Sequence, residues 1–116
     1  MTGERLEAER RRAADEVTER RAQVEQVAAE AMTDGRDDEH DPDGATPAFE
    51  LSLAVGLLTQ AEQRLADLDA AIGRLHVGTY GLCTQCGARI PDERLEARAG
   101  TLTCVACASR SHRLGG

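Results

Sequence analysis

The feature that most constrains this chain is its four cysteines, which form two Cys-x-x-Cys pairs, Cys83 with Cys86 and Cys104 with Cys107. Seventeen residues separate the pairs, a spacing typical of a tetrahedral zinc site in which each pair presents two sulfurs from one tight turn. Gly87 follows the first pair, where a residue without Cβ easily adopts the positive φ of such a turn. We therefore predict one Zn²⁺ bound by all four cysteines, and a complete thiolate set indicates a structural site. Two disulfides or four idle thiols are the alternative.

Size and composition favour an elongated molecule. The chain has 116 residues, no Trp and only two aromatic residues, Phe49 and Tyr80, which leaves little material for a thick core. Residues 1–12 are dominated by Glu and Arg, unlike a secretory signal, and no apolar run approaches the roughly 20 residues of a membrane span. We expect a cytoplasmic protein with no membrane association, where thiols stay reduced.

The negative charge is concentrated in one segment. The chain carries a net charge of −7, and residues 33–50 hold seven acids against a single Arg. A DNA-coating protein would show a basic face, whereas this chain has no Lys and an acidic balance. We expect no direct sequence-specific binding to DNA.

Two long segments have helical patterns. Residues 4–32 are rich in Ala, Glu, Arg and Gln, with a weak apolar stripe of Leu6, Ala13, Val17, Val24, Val27 and Ala31. Residues 48–76 carry apolar positions that alternate spacings of three and four, the pattern of a coiled-coil seam, at Leu51, Ala54, Leu58, Ala61, Leu65, Leu68, Ile72 and Leu75.

Capping residues bracket these helices. Thr46 and Pro47 suit the N-cap and the first position of the second helix, while Gly35 and Gly78 lie where helices commonly end. A short loop between two long helices predicts an antiparallel hairpin. The predicted fold class is mainly α, an antiparallel coiled-coil helical hairpin followed by a small zinc finger with four cysteine ligands.

Two features of the hairpin leave alternatives open. Leu53, Val55 and Leu57 lie off the seam, which indicates either a partner-facing surface or a broadened intramolecular stripe. The acids between the helices form either a solvated run or a site for a divalent cation, although the EF-hand ligand pattern is missing.

The finger residues resemble a known family. Gly78-Thr79-Tyr80-Gly81 precedes the first cysteine pair, Ile90 and the run Arg94-Leu95-x-Ala97 follow, and the second pair completes the pattern. This order resembles the zinc finger of the DksA/TraR family of bacterial regulators, in which a coiled-coil hairpin with an acidic tip precedes the finger.

The resemblance implies a mechanism. Family members insert the hairpin into the secondary channel of RNA polymerase, where tip carboxylates approach the catalytic region. The tip pattern Asp-x-x-Asp matches Asp38 and Asp41 here, with Asp43 as the reserve. Ala99 replaces a Pro usual in the family's finger, and the tail after Cys107 is short.

We therefore predict the following organisation: residues 1–77 form the coiled-coil hairpin with the tip loop at 33–46, residues 78–110 form the four-cysteine zinc-finger module, and residues 111–116 form a flexible tail. The predicted function is that of a monomeric, non-enzymatic transcription regulator that binds RNA polymerase. A nucleic-acid-binding zinc ribbon on a helical stalk and a structural coiled-coil dimer clipped by zinc are the alternatives.

Tyr80 and the three histidines are predicted to be ordinary packing or exposed residues. We expect the Tyr80 ring to pack over the cysteine turn while its hydroxyl stays in water. Because four thiolates complete a zinc site, we predict that the histidines are exposed and not metal ligands: His40, His76 and His112.

Overall fold

The computed structural model describes residues 3–34 and 46–115. These residues form four helices: α1 Gly3–Asp34, α2 Pro47–Val77, α3 Asp92–Ala97 and α4 Val105–Gly115. The described residues contain no strand, only one antiparallel bridge between Leu82 and Arg89. The predicted tip acids Asp38, Asp41 and Asp43 and the predicted helix stop Gly35 lie outside the described residues.

Helices α1 and α2 confirm the predicted antiparallel hairpin. Arg10 pairs with Asp69 and Arg21 pairs with Glu62, so residues later in α1 meet residues earlier in α2. A finger carrying the four cysteines follows α2. The predicted fold class is confirmed, with both helices slightly longer than the periodic patterns indicated.

Local backbone chemistry sets both ends of α2. The Phe49 N–H donates to the Thr46 hydroxyl at 3.1 Å, and the Glu50 N–H bonds the Thr46 carbonyl at 2.9 Å, as in an N-cap. At the other end, Gly78 has φ +83°. The N–H groups of Gly78 and Thr79 bond back to Leu75 and Arg74, which is the Schellman pattern.

The chain divides into two compact units, and one of them is Arg12–Leu65. Its interior is made of small side chains, which let two helices approach closely: Ala13, Val17, Ala54 and Ala61. Of the three off-seam residues, Leu53 and Val55 are exposed, by 56% and 44%, whereas Leu57 is half-buried. A broadened intramolecular stripe therefore explains the position of Leu57 but not the positions of Leu53 and Val55.

The other unit comprises Met1–Arg11 and Ala66–Gly116, so the finger shares it with one end of each long helix. Its largest fully buried side chains are Leu6, Leu68 and Ile90. Gly100 brings the finger very close to α2, because a Cβ built there would lie 2.6 Å from the Cβ of Asp67. A larger residue at position 100 would force the finger and α2 apart.

Helix α4 extends to the last described residue. Residues 111–115, expected to form a tail, continue helix α4. Among the described residues, no helix combines the length and apolar character required to cross a membrane.

Candidate metal centre

A tight turn presents the first cysteine pair. The Cys83 N–H donates to the Ala88 carbonyl at 2.8 Å, and the Gly87 N–H returns to the Cys83 carbonyl at 2.9 Å. Gly87 has φ +76°, as the sequence predicted for this position. The turn also directs the Gln85 N–H at the Cys83 sulfur, 3.4 Å away.

The start of helix α4 presents the second pair. Cys104 lies immediately before α4, and its carbonyl accepts the Ala108 N–H at 2.9 Å, while Cys107 lies in the first turn. The Thr84 N–H donates to the Leu102 carbonyl at 2.9 Å, and this bond joins the two pairs. Two segments far apart in the sequence are thereby held side by side.

The four sulfurs converge. All four lie within 4.8 Å of one another, and the sulfurs of Cys86 and Cys104 are 3.8 Å apart. Four sulfurs at about 2.3 Å from one ion in a regular tetrahedron are separated by about 3.8 Å. No disulfide joins them, so the disulfide alternative is not observed. The donor set and its spacing fit Zn²⁺.

The electrostatics of the cluster favour a cation. Backbone N–H hydrogen bonds, from Cys104 first and then from Cys86 and Gln85, lower the pKa of Cys83 to about 6. Hydrogen bonds from Cys107, backbone first, also lower the pKa of Cys104. Hydrogen bonds with Cys104 and then Cys86 raise the pKa of Cys107 to about 12. The thiolates of Cys83 and Cys104 are thus favoured over that of Cys107, and a bound cation would neutralise their charge.

A small apolar cluster supports the centre. Ile90 and Leu95 are buried beside Cys83 and Cys107, and the half-buried Tyr80 packs against them. The predicted packing role of Tyr80 is confirmed, but its hydroxyl does not stay in water. The hydroxyl donates to the Ala99 carbonyl at 3.0 Å.

The structure places the other predicted residues as follows. His76 is exposed and does not join the sulfurs; His40 lies outside the described residues, as do the tip acids. Within residues 3–34 and 46–115, the four cysteines are the one group of three or more Cys, His, Asp or Glu side chains that could hold a metal.

Two arginines contact this centre, and sequence reasoning had singled out only Arg94, as part of the family pattern Arg94-Leu95-x-Ala97. Arg74 Nη2 donates to the carbonyls of Thr79, at 3.0 Å, and Leu82, at 2.5 Å. Arg94 Nε donates to the Thr103 carbonyl at 3.1 Å. The available signal was their position on helices flanking the cysteine pairs, which alone does not distinguish them from solvated arginines.

Comparisons with known proteins agree with this geometry. Residues 78–113 match the family described as the prokaryotic dksA/traR C4-type zinc finger. The chain is 40% identical over 52 residues to an uncharacterized protein of Aquifex aeolicus (strain VF5) and 37% identical over 60 residues to the uncharacterized protein YteA of Bacillus subtilis (strain 168). These matches cover 45% and 52% of this chain but only 36% and 25% of the two relatives.

A solved structure has the same fold. The structure of transcription factor DksA2 from Pseudomonas aeruginosa matches with a TM-score of 0.58 at 24% identity, covering 95% of this chain and 84% of that one. The C4 finger match and the converging sulfurs confirm the prediction of zinc as the cofactor. The finger match agrees with the predicted DksA/TraR resemblance over residues 78–113, and the shared fold agrees with the predicted helical hairpin followed by a zinc finger.

Proposed function

We propose that this protein is a non-enzymatic bacterial transcription regulator that binds RNA polymerase. The observation that carries the proposal is a four-cysteine centre within a DksA/TraR-type finger, joined to a helical hairpin with the fold of a DksA2 transcription factor. The site of action is the cytoplasm, and the protein acts as a monomer.

In this proposal Cys83, Cys86, Cys104 and Cys107 hold one Zn²⁺. The ion supplies folding free energy to a module whose apolar cluster is small, and four thiolates leave it no open position for catalysis. The organisation is the predicted one, with a hairpin over residues 1–77 and the finger over 78–110.

The acidic segment at 33–46 is the proposed effector. Helix α1 ends at Asp34 and α2 begins at Pro47, so the segment connects two antiparallel helices. The hairpin enters the secondary channel of the polymerase, and Asp38 and Asp41, with Asp43 in reserve, perturb the basic residues or bound magnesium inside. Charge-assisted contacts of this kind gain strength where water is scarce.

The test separates binding from effect. We expect the double variant Asp38→Asn with Asp41→Asn to bind core polymerase within a few fold of the wild type but to lose its effect in a transcription assay. The matched control, Asp15→Asn with Glu19→Gln, removes the same charge from two exposed positions on α1 and should retain the effect.

Other outcomes identify the alternatives. Loss of polymerase binding in the tip variant would contradict the assignment of the tip acids. Tight, steeply salt-dependent DNA binding without polymerase binding would indicate a zinc ribbon. Sedimentation as a dimer at micromolar concentration would indicate a structural coiled coil.

A further inference from the structure

Two half-buried arginines on different helices lie beside the cysteine pairs of the metal centre. Arg74 lies on the last turns of α2, and Arg94 lies on α3. Arg5, Arg10, Arg20 and Arg21 form ion pairs with acidic side chains. Arg74 and Arg94 instead donate to backbone carbonyls.

The accepting carbonyls occupy equivalent places in the two cysteine pairs. Leu82, an acceptor for Arg74, immediately precedes Cys83, and Thr103, the acceptor for Arg94, immediately precedes Cys104. Each guanidinium therefore holds the peptide group that leads into the first cysteine of a pair. The same contact occurs twice, although the first pair lies in a turn and the second lies at a helix start.

A peptide group is planar, so fixing its carbonyl also fixes the N–H of the next residue. The Cys83 N–H closes the first turn on Ala88 at 2.8 Å. The Thr103–Cys104 peptide leads directly into the first turn of α4, which carries Cys107. Restraining these two peptides thus holds each pair in the conformation in which its sulfurs face the other pair.

We propose that Arg74 and Arg94 are positioning residues of the zinc centre, each holding the peptide that precedes one cysteine pair so that the four sulfurs are arranged before the ion arrives. This inference rests on the proposed assignment of the four cysteines as ligands. Groups outside the ligand set that orient the ligands typically contribute about 10- to 100-fold to metal affinity.

Arg74 has a second consequence. Its own carbonyl accepts the N–H groups of Thr79, at 2.9 Å, and Tyr80, at 3.2 Å, in the turn that ends α2. Because Arg74 contacts the finger through both its backbone and its side chain, zinc binding and the order of this turn are coupled. Removing the guanidinium should therefore increase hydrogen exchange at the Thr79 and Tyr80 amides even at saturating zinc.

The experiment compares Arg74→Gln, Arg94→Gln, Arg74→Lys and Arg94→Lys in the full chain, with Arg98→Gln as an exposed arginine control from the same finger. Zinc affinity is measured by competition with a chromogenic chelator, and Co²⁺ substitution reports the ligand set by absorption. We expect roughly 10-fold or greater weakening of zinc binding in each Gln variant, an intermediate loss in each Lys variant because an ammonium lacks the planar fork, and less than about a threefold change in the control. The tetrathiolate Co²⁺ spectrum should persist.

Zinc affinities within about threefold of the wild type in all four variants would overturn the inference while leaving the ligand assignment intact. If a Gln variant fails to reach wild-type helical content at saturating zinc, the Lys variant at that position decides in the same way. A wild-type protein whose Co²⁺ spectrum lacks thiolate bands would instead refute the ligand assignment in the proposed function.

Discussion

Tyr80 shows how packing in the finger changes the pKa of an ionisable side chain. Its ring covers the buried side chains beside the cysteines, and its hydroxyl donates to Ala99, nineteen positions later in the chain. Burial raises the pKa of Tyr80, and the negative charge of Glu9 raises it further. The phenol is therefore held in its neutral form where the finger packs.

This gives a pH dependence with a defined sign. Because the pKa of Tyr80 is higher in the folded protein than its ordinary value of about 10, its contribution to stability is fully present below that pH. The contribution is lost as the pH rises through the folded value. Absorbance titration of tyrosinate checks this directly, since the chain has one Tyr and no Trp.

The zinc-loaded protein should titrate above the value measured for the same chain in guanidinium. Tyr80→Phe should abolish the absorbance change and weaken this part of the alkaline dependence of stability. Equal midpoints in the folded and unfolded protein would show that the phenol is not desolvated.

At the scale of elements, helix α2 illustrates how local signals set boundaries. Thr46 satisfies an N–H of the first turn, and Gly78 adopts the positive φ that ends the helix at Val77. Between them, three residues of the predicted seam are buried, Ala54, Ala61 and Leu68, whereas Leu75 at the end of the seam is 38% exposed. Ala71, which is not a seam position, is also buried.

The N-cap can be tested with a matched pair of threonines. Thr46→Ala removes the acceptor for the Phe49 N–H and should cost about 1 kcal/mol in the free energy of unfolding, whereas Thr46→Ser should retain most of it. Thr59 lies inside α2, and its hydroxyl donates to the Val55 carbonyl. Thr59→Ala should be neutral or slightly stabilising, since Ala is the better helix former.

Denaturant titration of the zinc-loaded protein measures all three variants. A smaller loss for Thr46→Ala than for Thr59→Ala would contradict the assignment of Thr46 as the cap.

At the scale of the molecule, the metal and the helices stabilise different regions. The unit Arg12–Leu65 has its own buried side chains and contains none of the four cysteines. The finger depends on a centre whose free energy in zinc-finger peptides is roughly 10 to 16 kcal/mol, far more than its small apolar cluster supplies. Loss of zinc should therefore be a regional event.

We expect a strong chelator to abolish amide protection from Tyr80 to Cys107 while much of the helix within residues 12–65 persists. Hydrogen exchange with mass spectrometry locates the change, metal analysis verifies zinc removal, and added zinc should restore protection. Unchanged protection in the finger after verified removal would refute the structural role of the ion.

The sequence alone determined the features that depend on neighbours in the chain. The spacing of the cysteines indicated their convergence, the three-and-four periodicity indicated the inner face of α2, and Thr46, Gly78 and Gly87 indicated a cap and two positive-φ positions. Each is a local signal, because a turn or a cap is encoded within a few residues.

Only the tertiary structure decided which distant groups meet. The Tyr80 hydroxyl donates to the Ala99 carbonyl, and the guanidinium groups of Arg74 and Arg94 donate to the carbonyls that precede Cys83 and Cys104. Gly100 lies close to Asp67. Every residue has a backbone carbonyl, so a sequence pattern does not indicate which carbonyl accepts a given side chain. These contacts depend on how the finger packs against the ends of two long helices, and that packing is established by burial over the whole unit.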